Sequence, residues 1–146
     1  MASGPVPADA APTRPTPDLL ARLRARADAD GFVPFDRFMD LALYDPRAGF
    51  YSRESAAFGS AGDYYTAPYV HPLFARTLAA RIRTLVGPIR DHGPVRIVEV
   101  GPGDGSLAEG LLRSLGAESR VDEYLLVERS ESLARRALAR AGAAGE

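Results

Sequence analysis

The chain has no cysteine and no lysine, and only two histidines among 146 residues. Without cysteine there is no disulfide framework and no thiolate zinc site. His71 and His92 stand too far apart to form a metal-ligand motif, so no metal is expected and a metalloenzyme is excluded. Charge is also missing: 18 basic residues against 19 acidic ones leave a formal −1. Such a chain carries no general field to attract nucleic acid or an anionic membrane, and any binding must come from a local site. No apolar run approaches the roughly 20 residues needed to span a bilayer, which argues against membrane insertion. The first 30 residues lack an apolar signal core, and Asp9, Asp18, Asp28 and Asp30 spoil an acid-poor transit peptide. Cytoplasm is the expected location. Every basic residue is arginine, and alanine, glycine and proline abound, a bias that reads as GC-rich coding and a bacterial source.

What remains is enough for one domain that buries roughly two thirds of its unfolded surface. Residues 1–16, with Pro5, Pro7, Pro12 and Pro15 among small side chains, read as a disordered Pro/Ala-rich tail. Residues 17–94 read as a helical amino-terminal segment. Thr16 is placed to cap a helix that has Pro17 at its first position and Leu19, Leu20, Leu23 and Ala27 on one face. Its arginines read as a solvated face. A second helix is expected over 32–44, with Phe35, Phe38, Met39, Ala42 and Leu43 as core positions, stopped by Asp45-Pro46. Residues 45–70 read as an aromatic-rich ordered loop able to line a pocket, and a third helix is expected from about Pro72 to Val86. It carries Leu73, Phe74, Leu78, Ile82 and Leu85 on one side, and Gly87-Pro88 closes it. His71 at this helix start and His92 in a turn suit capping and solvent-exposed roles.

From residue 95 the pattern changes to strand 95–100, helix 106–115, strand 123–128 and helix 130–141, the start of a doubly wound parallel sheet. Residues on both sides of the first strand are largely apolar, as for a central strand covered on both faces. On the last helix Leu133, Ala137 and Leu138 are the apolar positions, and Arg135, Arg136 and Arg140 read as a solvated face.

The first strand runs straight into Gly101-Pro102-Gly103-Asp104-Gly105. A chain that turns abruptly from strand to helix needs residues that take positive φ, and a ligand pressed on the main chain leaves no room for Cβ atoms. Ser106 and Glu109 then read as a capping box, whose helix start favours an anionic group. A dinucleotide fingerprint needs glycine or alanine at position 106, where Ser106 stands; the third glycine comes one residue early. Glu99, two residues before the first glycine, would repel a pyrophosphate and attract an α-ammonium group. Glu128, 23 residues beyond Gly105 at the end of the second apolar strand, is placed to accept hydrogen bonds from a ribose. These features favour S-adenosylmethionine as cofactor over NAD, with a nucleotide-linked oxidoreductase as the competing reading.

Three segments carry a family resemblance. They are Phe35-Asp36-Arg37-Phe38-Met39-Asp40-Leu41-Ala42-Leu43-Tyr44-Asp45-Pro46 with Gly49-Phe50-Tyr51, then Gly62-Asp63-Tyr64-Tyr65-Thr66-Ala67-Pro68, then residues 98–107 across the glycine loop. Together they resemble the MidA-type class I S-adenosylmethionine-dependent methyltransferases, the family of the mitochondrial complex I assembly protein-arginine methyltransferase. The resemblance implies an α/β, Rossmann-like class I methyltransferase fold preceded by a helical segment, and methyl transfer to a protein, with arginine as acceptor. It assigns Glu99, Gly101, Pro102, Gly103 and Gly105 to the methionine part of the cofactor and Glu128 to its ribose. Gly62, Asp63, Tyr65 and Thr66 would close over the same pocket, a tyrosine face favouring the sulfonium. The chain departs from the family pattern at Ala67 and Tyr69, where Thr-Ser-Pro-Glu is usual, and at Ala75, where glycine is usual.

Residues 95–146 then correspond to the first half of a cofactor domain, truncated after its second strand and helix. A first strand left with an open apolar edge invites pairing, so a fragment of a longer enzyme is expected. A non-catalytic cofactor-binding or respiratory-complex assembly module is the alternative; the oligomeric state is not readable.

Overall fold

A computed structural model describes residues 17–29, 31–52, 66–116 and 119–145. The expected tail at 1–16 and the candidate residues Gly62, Asp63 and Tyr65 lie outside the described residues. The elements are α1 (Pro17–Arg24), α2 (Phe35–Tyr44), a 3-10 turn (Phe50–Ser52), α3 (Ala67–Val70), α4 (Leu73–Arg90), β1 (Arg96–Val100), α5 (Ser106–Leu115), β2 (Glu123–Val127) and α6 (Glu131–Gly145). This is the Rossmann-like arrangement expected, with a helical segment first and two βα units after it. β1 and β2 pair in parallel with Val98 opposite Leu125. Backbone bonds extend the pairing at both ends, from the Asp122 amide to the Val95 carbonyl (2.8 Å) and from the Gly101 amide to the Val127 carbonyl (2.9 Å).

Among the described residues, only one face of this small sheet is covered. Ile97 and Tyr124 pack with Ala79, Leu111 and Leu115 of α4 and α5. The opposite face is open: Val98 and Val100 are 55% and 77% exposed, and Leu125 and Val127 lie beside them. The expectation of a strand buried on both sides therefore fails among the described residues, because α4 and α5 lie against the same face and nothing described covers the other.

The buried stripe of α4 is the expected one only in part: Leu78 and Ile82 pack against the Ala79, Leu111 and Leu115 cluster. Leu73, Phe74 and Leu85 are exposed, while Ala75, Ala79 and Val86 are buried. Small residues win the interior because α4 crosses α5 closely: a Cβ placed on Gly110 would stand 2.7 Å from the Ala75 Cβ. Bulky leucines would hold these helices apart. The helix also continues through Gly87-Pro88 to Arg90. A proline disfavours helical geometry in the preceding residue partly by clashing with its Cβ, and Gly87 has none.

In the amino-terminal segment a small core joins Leu19 of α1, Leu41 of α2 and Ala48, with Leu23 against it. The expected core aromatics of α2 are not in it; Phe35 is 74% exposed and Phe38 is exposed as well. Asp45 does end α2, its amide donating to the Leu41 carbonyl at 3.1 Å. Its buried carboxylate accepts the Arg47 and Ala48 amides (3.0 and 3.1 Å) and both oxygens meet Nη1 of Arg22 at 2.6 Å. Burial alone would raise the Asp45 pKa, but these donors outweigh it and hold the carboxyl below its ordinary range. Arg22 is thus an anchor between α1 and α2, not part of a solvated face.

Candidate cofactor site

The glycine loop is held by its neighbours rather than by a capping box. Gly105, at φ +85°, takes the position before the helix, and its carbonyl accepts the Glu109 amide at 2.9 Å. No larger residue fits there, since a Cβ would lie 2.7 Å from Cα of Ala137 on α6. Ser106 becomes the first helical residue, so its hydroxyl is not positioned to reach the Glu109 amide and instead donates to Asp104 Oδ1 at 2.6 Å. The Glu109 carboxylate turns outward to Arg113 (3.0 Å) and Arg140 (3.2 Å).

Asp104 is the centre of this arrangement. Its Oδ1 also accepts the Ser106 amide at 3.1 Å and the hydroxyl of Tyr69 from α3, and its Oδ2 accepts Nη1 of Arg140 at 2.5 Å. Burial works against the charge, but the Ser106 and Tyr69 hydrogen bonds and the Arg140 charge hold the Asp104 pKa below its ordinary value. The same contact, added to burial, pushes the Tyr69 phenol up to about 12. Arg140, expected on a solvated face, is therefore an internal ligand of the loop. The signal was present: Leu133, Ala137 and Arg140 follow the i, i+4, i+7 spacing of one helix face. Leu138, expected in the core, is off that face and 63% exposed.

Gly101, Gly103 and Glu128 line one cavity of about 190 Å³, together with Tyr44, Tyr51 and Leu133. Gly101 has φ +70°, and a Cβ there would meet nothing within 4 Å, so the space over this residue is open for a ligand. Glu128 Oε1 accepts the Ser130 amide at 2.8 Å, which fixes the carboxylate at the strand end. Pro102 is buried in the turn, its carbonyl accepting the Gly105 amide at 2.9 Å. Glu99 is not among the lining residues. It is half-buried on the covered face of β1, where Oε2 accepts the Tyr124 hydroxyl at 2.7 Å. Burial raises its pKa, against the opposing effect of that hydrogen bond. Thr66 is exposed just before α3, three residues from Tyr69. His71 Nδ1 accepts the Leu73 amide at 3.0 Å, as a capping residue does, and His92 is exposed. Tyr44 and Tyr51 come to the cavity from α2 and the 3-10 turn; sequence reasoning put Tyr51 in an aromatic loop able to line a pocket but singled out neither residue.

A parallel strand, a glycine loop and a helix, followed by a second strand ending in an acid that shares a cavity with the glycines, define the first part of a class I methyltransferase cofactor domain. A family described as "Putative S-adenosyl-L-methionine-dependent methyltransferase" matches residues 73–144. A protein arginine methyltransferase NDUFAF7 homolog, mitochondrial, of Drosophila melanogaster is 31% identical over 66% of this chain and 22% of its own length. The protein of that name from Danio rerio is 28% identical, over 65% of this chain and 22% of its own. Among solved structures, a COG1565 superfamily member from Burkholderia thailandensis bound to S-adenosyl-homocysteine superposes with a TM-score of 0.70 at 37% identity. The match covers 97% of this chain and 37% of that one. These matches make the chain similar to the MidA-type family of S-adenosylmethionine-dependent methyltransferases. It spans about a fifth of the length of the curated relatives it matches, 22% in each of these two.

Proposed function

We propose that this chain forms the S-adenosylmethionine-binding part of a methyltransferase that acts on protein arginine. One observation carries the reading: Gly101 and Gly103 of the loop share a single cavity with Glu128 at the end of the neighbouring strand. The bound cofactor would supply an electrophilic methyl group on a sulfonium. The open backbone at Gly101 would receive its methionine part without Cβ obstruction, in a loop shaped by Pro102, Gly103 and Gly105, and Glu128 would accept hydrogen bonds from the ribose. Glu99, on the strand entering the loop, is the proposed partner of the α-ammonium group. Gly62, Asp63, Tyr65 and Thr66 are proposed to close over the same site. The protein's contribution to methyl transfer is then alignment of donor and acceptor and exclusion of water.

The names of the curated relatives support arginine as acceptor. A bacterial source belongs to the same reading, supported by the arginine-only basic content and by the Burkholderia origin of the solved relative, and a cytoplasmic location is proposed with it. No helix among the described residues is long and apolar enough to cross a membrane. Titration calorimetry of the 146-residue chain with S-adenosylhomocysteine tests the site; binding of NADH in its place would overturn it. A second reading, a non-catalytic cofactor-binding or assembly module, is favoured by the open apolar face of Val98, Val100, Leu125 and Val127. Transfer of a labelled methyl group to arginine-containing protein separates the two.

A further inference from the structure

We infer that Tyr44 and Tyr51 form an aromatic wall for the nucleoside half of the cofactor, held in place by a clamp from the loop that carries Glu128. The inference rests on the cofactor reading above and names residues that it does not use. Both tyrosines line the cavity that holds Gly101, Gly103 and Glu128. Their ring centroids lie 5.4 Å apart at 38° to one another, so they act as a pair.

The pair is fixed from the cofactor loop itself. Arg129, the residue after Glu128, lays its guanidinium over the Tyr44 ring, 4.2 Å from the centroid, and pairs with Asp40 one helical turn earlier on α2. The next residue, Ser130, donates its hydroxyl to the Tyr51 carbonyl at 2.6 Å, and Ser132 reaches the same carbonyl at 3.1 Å. The Ser130 amide meanwhile holds Glu128 Oε1. Residues 128–132 thus orient the proposed ribose acceptor and grip both tyrosines in one short stretch. A carboxylate beside two aromatic rings suits a ribose joined to a flat base, because the acid takes the hydroxyls and the rings take the base. The amino-acid half of the cofactor has no flat group to stack.

Calorimetry with two probes, S-adenosylhomocysteine and 5′-methylthioadenosine, tests this on the 146-residue chain. Tyr44→Leu and Tyr51→Leu are each expected to weaken both probes by roughly tenfold, the scale of one lost base–aromatic contact. Tyr44→Phe and Tyr51→Phe keep the ring and are expected to stay within about twofold. In the unaltered chain, ring-proton signals of both tyrosines should move when 5′-methylthioadenosine is added, a measurement that needs no variant to fold. Unmoved signals, or leucine variants that fold and bind as well as the unaltered chain, overturn the inference alone. A loss confined to S-adenosylhomocysteine also overturns it, since the rings would then serve the amino-acid half. No binding of either probe by the unaltered chain overturns the cofactor reading and this inference with it.

Discussion

The glycine loop has a carboxylate at its entrance and another near its exit, and the two are treated in opposite ways. Glu99 enters on β1 with one hydrogen bond, from Tyr124, and burial pushes its pKa up. Asp104 sits five residues later, buried among Tyr69, Ser106 and Arg140, and its pKa is held down. The difference is the number of donors: burial outweighs a single neutral donor and raises the pKa of Glu99, while several donors and a guanidinium outweigh it and lower that of Asp104. The saturated carboxylate holds the loop, and the poorly satisfied one retains the capacity to gain from a cation.

The sharpest way to break this comparison is to remove the saturated member. Asp104→Ala leaves Arg140, Tyr69 and Ser106 without their shared acceptor, cutting the loop's tie to α3 and one of its ties to α6. A loss of about 3 kcal/mol is expected, below the upper range for a broken buried pair because Arg140 keeps 40% of its side chain in solvent. Urea unfolding followed by circular dichroism measures it; a loss under about 1 kcal/mol would deny the scaffolding role.

Next in size is the tie to α3. Tyr69→Phe removes one hydrogen bond to a charged acceptor and keeps the ring, for an expected cost of about 1.5 kcal/mol. Since Tyr69 stands where the family usually has glutamate, the substitution Tyr69→Glu tests the pairing directly. A glutamate facing Asp104 would set two carboxylates against each other, and the variant is expected to be less stable than Tyr69→Phe.

How far the sequence discloses this arrangement depends on the range of the contacts. The elements after residue 95 were legible because strand and helix periodicities are local, and α5 begins and ends where expected. The loop glycines and Glu128 were legible for the same reason, since strand ends follow from the pattern. The α4 stripe was legible in part: Leu78 and Ile82 pack as expected, but the close approach of Gly110 to Ala75 puts small residues in the interior in place of Leu73, Phe74 and Leu85. Tyr44 and Tyr51 were hidden by distance, reaching the cavity through contacts with residues about 80 positions onward, such as that of Tyr51 with Ser130. Arg140 lay on the buried face of its helix by spacing, but arginines on an arginine-rich helix read first as solvated.

Acidification pulls the two carboxylates apart. Asp104 has a lowered folded-state pKa, so its contribution is present above the unfolded value of about 3.9 and is lost as pH falls through the folded one. Glu99 has a raised folded-state pKa, so its contribution is complete below the unfolded value of about 4.3 and is lost as pH rises through the folded one. Relative to Asp104→Asn, the unaltered chain should therefore lose its advantage below about pH 4. Relative to Glu99→Gln, it should lose stability as pH rises from about 4 toward neutrality. Thermal melting across pH 3–7 for the three proteins checks both signs, and parallel curves would show that neither carboxylate is tuned as described.

The smallest expected effect on stability is that of Glu99→Gln at neutral pH, and it is the most informative about function. Glutamine still accepts from the Tyr124 hydroxyl and removes a charge that burial disfavours, so the unfolding free energy should stay level or rise, by less than about 1 kcal/mol. If Glu99 serves the α-ammonium group, the same change should weaken S-adenosylhomocysteine by roughly tenfold, a charge-assisted contact being exchanged for a neutral one. It should leave 5′-methylthioadenosine, which lacks that group, unaffected. A variant that is no less stable and yet discriminates between these two probes would identify Glu99 as a ligand held ready on the strand. Equal binding of both would instead make it a structural partner of Tyr124.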